Sequence, residues 1–136
     1  MKNRIAIVLR VLLGLIFFIF GLNGFFHFIP LPPPANPAAG AYMGGLFQSG
    51  YFFPLLALVQ TLAGALLLAG LFVPLALLLL APVTLHILLY HIFLDPAGMG
   101  LALLVVILNA SLGWIYLESF QGVLAVRAQI NATQEE

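Results

Sequence analysis

The sequence contains no cysteine and few charged residues, and both shortages narrow what the protein can be. Of its 136 residues, 6% are charged and 64% are hydrophobic, against roughly a quarter charged in an ordinary soluble domain. Four Lys and Arg balance four Asp and Glu, so no net field attracts nucleic acid. Without cysteine the chain cannot form disulfides, iron–sulfur clusters or thiolate zinc sites. A water-soluble domain and a nucleic-acid-binding protein are excluded, and any redox role needs a borrowed cofactor.

Long apolar runs occupy most of the remaining sequence. A bilayer core of about 30 Å needs about 20 apolar residues of helix, and the few charges leave room for four such runs. We predict an all-α membrane protein with a single domain, an antiparallel bundle of four transmembrane helices. The helices are predicted at about residues 5–29, 51–73, 74–94 and 100–125, followed by a tail over 126–136. We expect the first helix to be retained, because about 25 residues exceeds the roughly 7–15-residue core of a secretory signal.

Proline and glycine mark the connections between these helices. Pro30 ends the first helix, since proline cannot continue the hydrogen-bonded ladder, and opens a proline-rich outer loop over 30–50. Only the region Gly70 to Pro74 can turn between the second and third helices, which predicts a tight hairpin. Asp95 to Gly98 is a turn signal before the fourth helix. The second half of the long loop predicts a short helix on the outer face, from Tyr42, Met43, Leu46 and Phe47.

Basic residues indicate how the bundle is oriented. Lys2, Arg4 and Arg10 mark the start of the first helix, and Arg127 marks the end of the fourth. The two loops on the opposite side contain no Lys or Arg. Since basic residues favour the cytoplasmic side, this pattern predicts that both termini are cytoplasmic and that the proline-rich loop lies outside.

Arg10 and Glu118 are the charged residues predicted to share a depth near the cytoplasmic side. A lone charge there costs on the order of a few kcal/mol, whereas an Arg–carboxylate pair satisfies both groups with forked hydrogen bonds. The favoured interpretation is a structural ion pair that joins the first helix to the fourth. The alternative is that Arg10 binds an anionic head group or a substrate.

A second group of polar residues is predicted in the outer half of the bundle. Counting about 1.5 Å of rise per residue brings side chains from all four helices near one level. These residues are Asn23, His27, Gln60, His86, Tyr90, His91 and Asn109. Polar side chains inside a membrane are costly, so their convergence predicts a ligand pocket. The alternative is that they only hydrogen-bond between helices.

The three histidines raise the question of metal or haem ligation. His86 and His91 are five residues apart and therefore about 140° apart around their helix, unlike a ligand pair on one helical face. Haem would need His27 and His91 at matching depth as its two ligands. We therefore expect neither metal nor haem. The His91–Asp95 couple is interpreted either as a helix end cap or as a proton-exchange pair.

Three segments taken together resemble a known family. They are LRVLLGLIFFIFGLNGFFHFIP, YFFPLLALVQTLAGALLLAGLFVPLALLLLAPV and HIFLDPAG. Over nearly the whole chain they look like the DoxX family of small four-span bacterial membrane proteins. The matching features run in order from Arg10, through the Gln60 to Gly70 stretch, to the His91 to Gly98 exit. The resemblance implies a bacterial cytoplasmic (inner) membrane location and a link to quinone-dependent redox chemistry. Many relatives look to have glutamate at the position of Gln60, so His86 is the better proton carrier here.

These observations lead to a hypothesis about function. We expect a quinone-linked or redox-associated membrane subunit whose outer pocket binds the quinone head, with Phe17, Phe20 and Phe93 as walls. A different class is a non-catalytic scaffold or assembly factor that binds another membrane protein. A small-solute transporter is least favoured, because the chain lacks inverted repeats. The expected partners are the lipid bilayer, a redox enzyme or other membrane protein, and further copies of the chain; nucleic acid is not expected.

Overall fold

The protein is all-helical over the residues that the structure, a computed structural model, describes, which are 1–127. Its helices are α1 (Lys2–Phe26), α2 (Pro37–Gln48), α3 (Phe52–Ala69), α4 (Val73–Phe93) and α5 (Met99–Ile115), with short 3-10 helices at Pro96–Gly98 and Leu117–Phe120. Within this part of the chain, α1, α3, α4 and the helical stretch Pro96–Ile115, which consists of a 3-10 turn and α5, are long and apolar enough to cross a membrane. The predicted bundle of four spanning helices is confirmed.

Contacts between neighbouring helices show that the bundle is antiparallel. Gly14 of α1 packs on Gly64 of α3, and Gly24 packs on Ala57, so the two helices run in opposite directions. Only Gly70, Leu71 and Phe72 separate α3 from α4, and a single 3-10 turn precedes α5. The start of α1, the α3–α4 turn and the end of α5 therefore lie together at what we call the basic end. The opposite end is called the cavity end.

Specific backbone conformations end these helices where the sequence changes character. α1 ends at Phe26, and His27 closes it in a left-handed conformation with φ 52°. Gly70 ends α3 at φ 74°, a region that glycine enters without steric cost. Asn36 begins α2 by accepting the Ala39 amide hydrogen at 2.9 Å, with proline in the first turn. The tight hairpin and the short helix within the long loop are thus both present.

The last spanning helix is shorter than predicted. The apolar sequence predicts a helix to about residue 125, whereas α5 ends at Ile115 and a 3-10 helix follows. The reason is packing, because this turn brings Phe120 back against the core, where it is 7% exposed. Glu118 consequently lies beyond the helix and is exposed. The part of the predicted tail after residue 127 lies outside the described residues.

The distribution of apolar side chains matches a bundle surrounded by lipid. The core contains Leu13, Phe17, Leu67, Leu80, Val105 and Leu112. Many equally large side chains face outward, including Val8, Phe93 and Trp114. An aqueous surface of that composition would be unfavourable, whereas hydrocarbon solvates it. The chain is an integral membrane protein.

The closest helix contact is between α1 and α3. A Cβ atom built on Gly64 would lie 2.8 Å from the Phe18 Cα and 2.9 Å from the Gly14 carbonyl oxygen. A Cβ on Gly21 would lie 2.9 Å from the Cα of Thr61. These obstacles are backbone atoms, which cannot rotate away. The two backbones approach this closely only because small residues face each other.

We expect Gly64→Ala to destabilise the bundle by about 1–3 kcal/mol, because the added methyl overlaps the α1 backbone. The matched control is Gly113→Ala in α5, where no atom lies within 4 Å of the added Cβ. That change should be neutral or stabilise by up to about 1 kcal/mol through helix propensity. Thermal unfolding in mild detergent measures both. Equal effects of the two changes would contradict the close α1–α3 contact.

Candidate ligand-binding cavity

A large cavity, here called the main cavity, opens at the cavity end of the bundle. It has a volume of about 590 Å³ and is lined by side chains from α1 through α5. Its apolar walls include Phe17 and Phe20 of α1 and Phe52 and Phe53 at the start of α3. The two α1 phenylalanines were predicted as walls. Phe93 is not one of the lining residues and is 77% exposed.

Most of the predicted polar layer surrounds this cavity. The lining residues include Asn23, His27, Gln60, His86, Tyr90 and His91. They come from α1 and its C-cap, from the middle of α3 and from the last two turns of α4. The antiparallel order explains their meeting, since the end of α1, the first half of α3 and the end of α4 reach the same level.

Asn109, which was predicted in the same layer, lies elsewhere. It is buried between α4 and α5 and lines a separate cavity of about 200 Å³ that also contacts Thr84. Val105 of α5 does reach the main cavity. Asn109 is one turn, about 6 Å, farther along the helix and therefore below the cavity floor.

Asn23 uses its side chain to hold the backbone. Its Oδ1 accepts the Ile29 amide hydrogen at 2.6 Å, and its Nδ2 donates to the Ile29 carbonyl at 3.2 Å. This two-point contact supports the chain where it leaves α1 through the left-handed His27. Asn23 therefore shapes the cavity wall, and its amide is occupied by the protein itself.

His91 is also held by the chain. Its Nδ1 lies 2.8 Å from the backbone oxygen of Asp95 and 3.8 Å from the Asp95 carboxylate. Because a carbonyl oxygen can only accept, His91 Nδ1 donates this hydrogen bond and carries a proton. The bond joins the last turn of α4 to the chain just beyond the helix end.

The helix α2 is a wall of the cavity, which the sequence analysis did not predict. Met43, Leu46 and Phe47 of α2 line the cavity. The Tyr42 hydroxyl lies 3.0 Å from His86 Nε2, and the two rings stack with centroids 5.9 Å apart. The apolar spacing of these residues predicted the helix, but only the folded chain shows that it covers the cavity.

Gln60 and His86 are the polar groups best placed to meet a ligand. Gln60 is half-buried at the cavity surface, and none of the hydrogen bonds within residues 1–127 uses its side-chain amide. His86 shares Nε2 with Tyr42, which leaves Nδ1 available. The Gln60 amide has two donor hydrogens and an acceptor oxygen, and the imidazole nitrogen of His86 donates or accepts one hydrogen bond according to its tautomer.

The described residues do not gather ligands for a metal ion. No group of three or more His, Cys, Asp or Glu side chains in the described part of the chain could hold one.

Elsewhere in the bundle, the predicted Arg10–Glu118 ion pair is not formed. Within residues 1–127, the contact of 4.0 Å or less between a basic side chain and a carboxylate joins His91 and Asp95. The early end of α5 explains this difference, because it leaves Glu118 outside the helix.

Comparison with known proteins finds no family model, no curated protein and no solved structure that matches this chain.

The position of His91 can be tested through its neighbour Gly98. A Cβ on Gly98 would lie 2.8 Å from His91 Nε2 and closer still to the other atoms of that ring edge. We expect Gly98→Ala to displace the imidazole, break its bond to Asp95 and cost about 1 kcal/mol of stability. Imidazole nitrogen NMR shifts should then show that Nδ1 no longer carries the proton exclusively.

Gly100→Ala is the matched control, because no atom lies within 4 Å of its added Cβ. It should leave the His91 signals unchanged. Unaltered His91 shifts in Gly98→Ala would contradict the packing of the ring on Gly98.

Proposed function

We propose that the protein is a DoxX-like, redox-associated subunit of a bacterial cytoplasmic membrane whose main cavity binds the head of a lipophilic quinone. The family resemblance of the sequence motivates the quinone, and the chemistry of the cavity supports it. The single observation that carries the proposal is one cavity, largely apolar, with polar groups gathered at a common level. Such a cavity suits a molecule that is oily over most of its length and polar at one end.

The size of the main cavity agrees with this class of ligand. Its volume of about 590 Å³ lies within the range of about 300–1,000 Å³ typical of small-molecule sites. Gln60 can donate an amide hydrogen to a quinone oxygen, and His86 can do the same from Nδ1. The phenylalanine walls supply apolar surface for the ring and the first part of its tail.

The side chains around the cavity can bind and release protons, but they cannot carry electrons. A bound quinone would supply the two-electron, two-proton redox chemistry that the side chains of this chain do not. With no cysteine in the sequence, thiolate-bound clusters are excluded, so electrons would pass between the cavity and a partner redox enzyme. The Tyr42–His86 contact would position the imidazole that exchanges protons with the ligand.

The distribution of charge supports an orientation for this site. Arg4, Arg10 and Arg127 belong to the basic end, while Asp95 lies at the cavity end. Because basic residues favour the cytoplasm, the cavity would open in the outer half of the membrane. Both chain ends would then be cytoplasmic.

The absence of native cysteine allows a direct test of this topology. Gln48 ends α2 at the cavity end, Gln121 follows α5 at the basic end, and both are exposed. In intact cells, a membrane-impermeant maleimide should label Gln48→Cys and should label Gln121→Cys only after the membrane is opened. Labelling in the reverse order would overturn the orientation.

Quinone binding can be tested with Gln60→Leu, which keeps the side-chain volume and removes the amide. Binding of a short-tailed ubiquinone or menaquinone to the detergent-solubilised protein should weaken about tenfold, the effect of roughly 1.4 kcal/mol. The unfolding midpoint should stay the same, because no hydrogen bond among the described residues uses the Gln60 amide. Titration calorimetry measures the affinity, and thermal unfolding measures the stability.

Asn109→Leu is the matched control, since it also removes an amide from a spanning helix but lies outside the main cavity. It should bind the quinone as the unchanged protein does. If the protein is a scaffold, Gln60→Leu should lower the stability of the bundle. The unchanged protein and Gln60→Leu should then bind the quinone equally well, or neither should bind it. That result would replace the quinone site by a structural role.

A further inference from the structure

A charged side chain at the basic end is left without the partner that the sequence suggested for it. Arg10 lies within the first membrane span, Asn3–Phe26. No carboxylate in residues 1–127 lies within 4.0 Å of its guanidinium, since Glu118 is exposed beyond α5 and Asp95 belongs to the cavity end. The buried Nε atom of Arg10 has no hydrogen-bond partner among residues 1–127. A cation in this position needs an anion that the described chain does not supply.

The guanidinium occupies a space that a glycine leaves open. A Cβ built on Gly70 would lie 2.8 Å from Arg10 Cζ and 3.1 Å from Nη2, and would overlap Nη1. Any other residue at position 70 would therefore displace the guanidinium, and would also be strained at φ 74°. Gly70 thus seats Arg10 against the end of α3.

Capping of α3 does not account for this arrangement. Two of the last four α3 carbonyls accept backbone hydrogens, Leu66 from the Leu71 amide at 3.0 Å and Leu67 from the Gly70 amide at 3.3 Å. The hydrogen bonds of the described residues do not include one from Arg10 to these carbonyls. The donors of the guanidinium are consequently not consumed by the helix end.

The level of Arg10 in the membrane indicates what meets it. The α3–α4 turn beside it exposes two large apolar side chains, Leu71 at 57% and Phe72 at 71%. Apolar side chains on a turn are favourable at the border of the hydrocarbon core, and the head-group layer that contains the lipid phosphates begins directly outside it. The long side chain of an arginine at this border can extend its charged end into that layer. Guanidinium groups bind phosphate oxygens through paired, forked hydrogen bonds.

We propose that Arg10, seated on Gly70, binds a phosphate group at the basic end of the bundle, supplied by the head group of an anionic phospholipid. Free inorganic phosphate offers the same oxygens, so the experiment has to distinguish the lipid head group from the free ion. This site lies at the opposite end of the bundle from the main cavity and does not depend on the quinone proposal.

The test uses the full chain in neutral detergent with three additions in turn: phosphatidylglycerol, diacylglycerol with the same acyl chains, and inorganic phosphate. We expect phosphatidylglycerol to raise the unfolding midpoint by about 5 °C and diacylglycerol to leave it unchanged. A rise with phosphatidylglycerol alone identifies the lipid head group. An equal rise with inorganic phosphate identifies the phosphate group itself as the ligand.

Variants at two arginines of α1 show which residue is responsible. Arg10→Gln should lose the phosphatidylglycerol response, and native mass spectrometry should show about tenfold fewer bound lipids. Arg4→Gln, which removes an exposed charge six residues earlier in the same helix, should keep both. Arg10→Lys keeps the charge but loses the forked pair of N–H groups, so it should retain part of the rise in unfolding midpoint with phosphatidylglycerol. This variant provides a second readout if Arg10→Gln folds poorly.

Two results would overturn the proposal. An equal phosphatidylglycerol response in the unchanged protein and in Arg10→Gln would show that Arg10 only supports the helix end. An equal response to diacylglycerol would show that the acyl chains, and not the phosphate, stabilise the protein.

Discussion

The close approach of α1 and α3 is the contact on which the rest of the bundle depends. Inside a bilayer, helices gain no hydrophobic free energy by leaving lipid for each other, so packing of backbone surfaces has to hold them together. Facing glycines and small residues, from Gly14 on Gly64 to Gly24 on Ala57, allow that approach along the middle of α3. This contact also sets the register, because it places Arg10 beside Gly70 at one end and Asn23 opposite the first turns of α3 at the other.

The register explains why the two ends of the bundle differ. At the cavity end α2 covers a space bordered by α1, α3 and the last turns of α4, and the polar groups there divide into two kinds. Asn23 and His91 bond to the backbone and hold the walls in place. Gln60 and His86 keep hydrogen-bonding capacity that faces the cavity. Walls held by backbone hydrogen bonds would be in position before a ligand bound, which would lower the entropic cost of binding.

The basic end has a different character, since it presents charged side chains at its rim. Arg10 reaches the α3–α4 turn from within a spanning helix, and the glycine at that turn leaves space for its guanidinium. A phosphate-binding arginine at this end and an apolar ligand cavity at the other would contact two different populations of membrane molecules. Both proposals rest on the same antiparallel pairing of α1 with α3.

The number of spans, their antiparallel order and the α3–α4 hairpin follow from the sequence alone, because the length of apolar runs and the positions of proline and glycine are local properties. The polar residues near one level could also be predicted, since helical rise converts residue number into depth. Depth, however, does not determine which way a side chain faces or where a helix stops. Only the tertiary structure shows that Asn109 lies outside the main cavity, that α5 ends before Glu118 and that α2 packs beside His86. Each of these outcomes depends on packing between residues far apart in the chain.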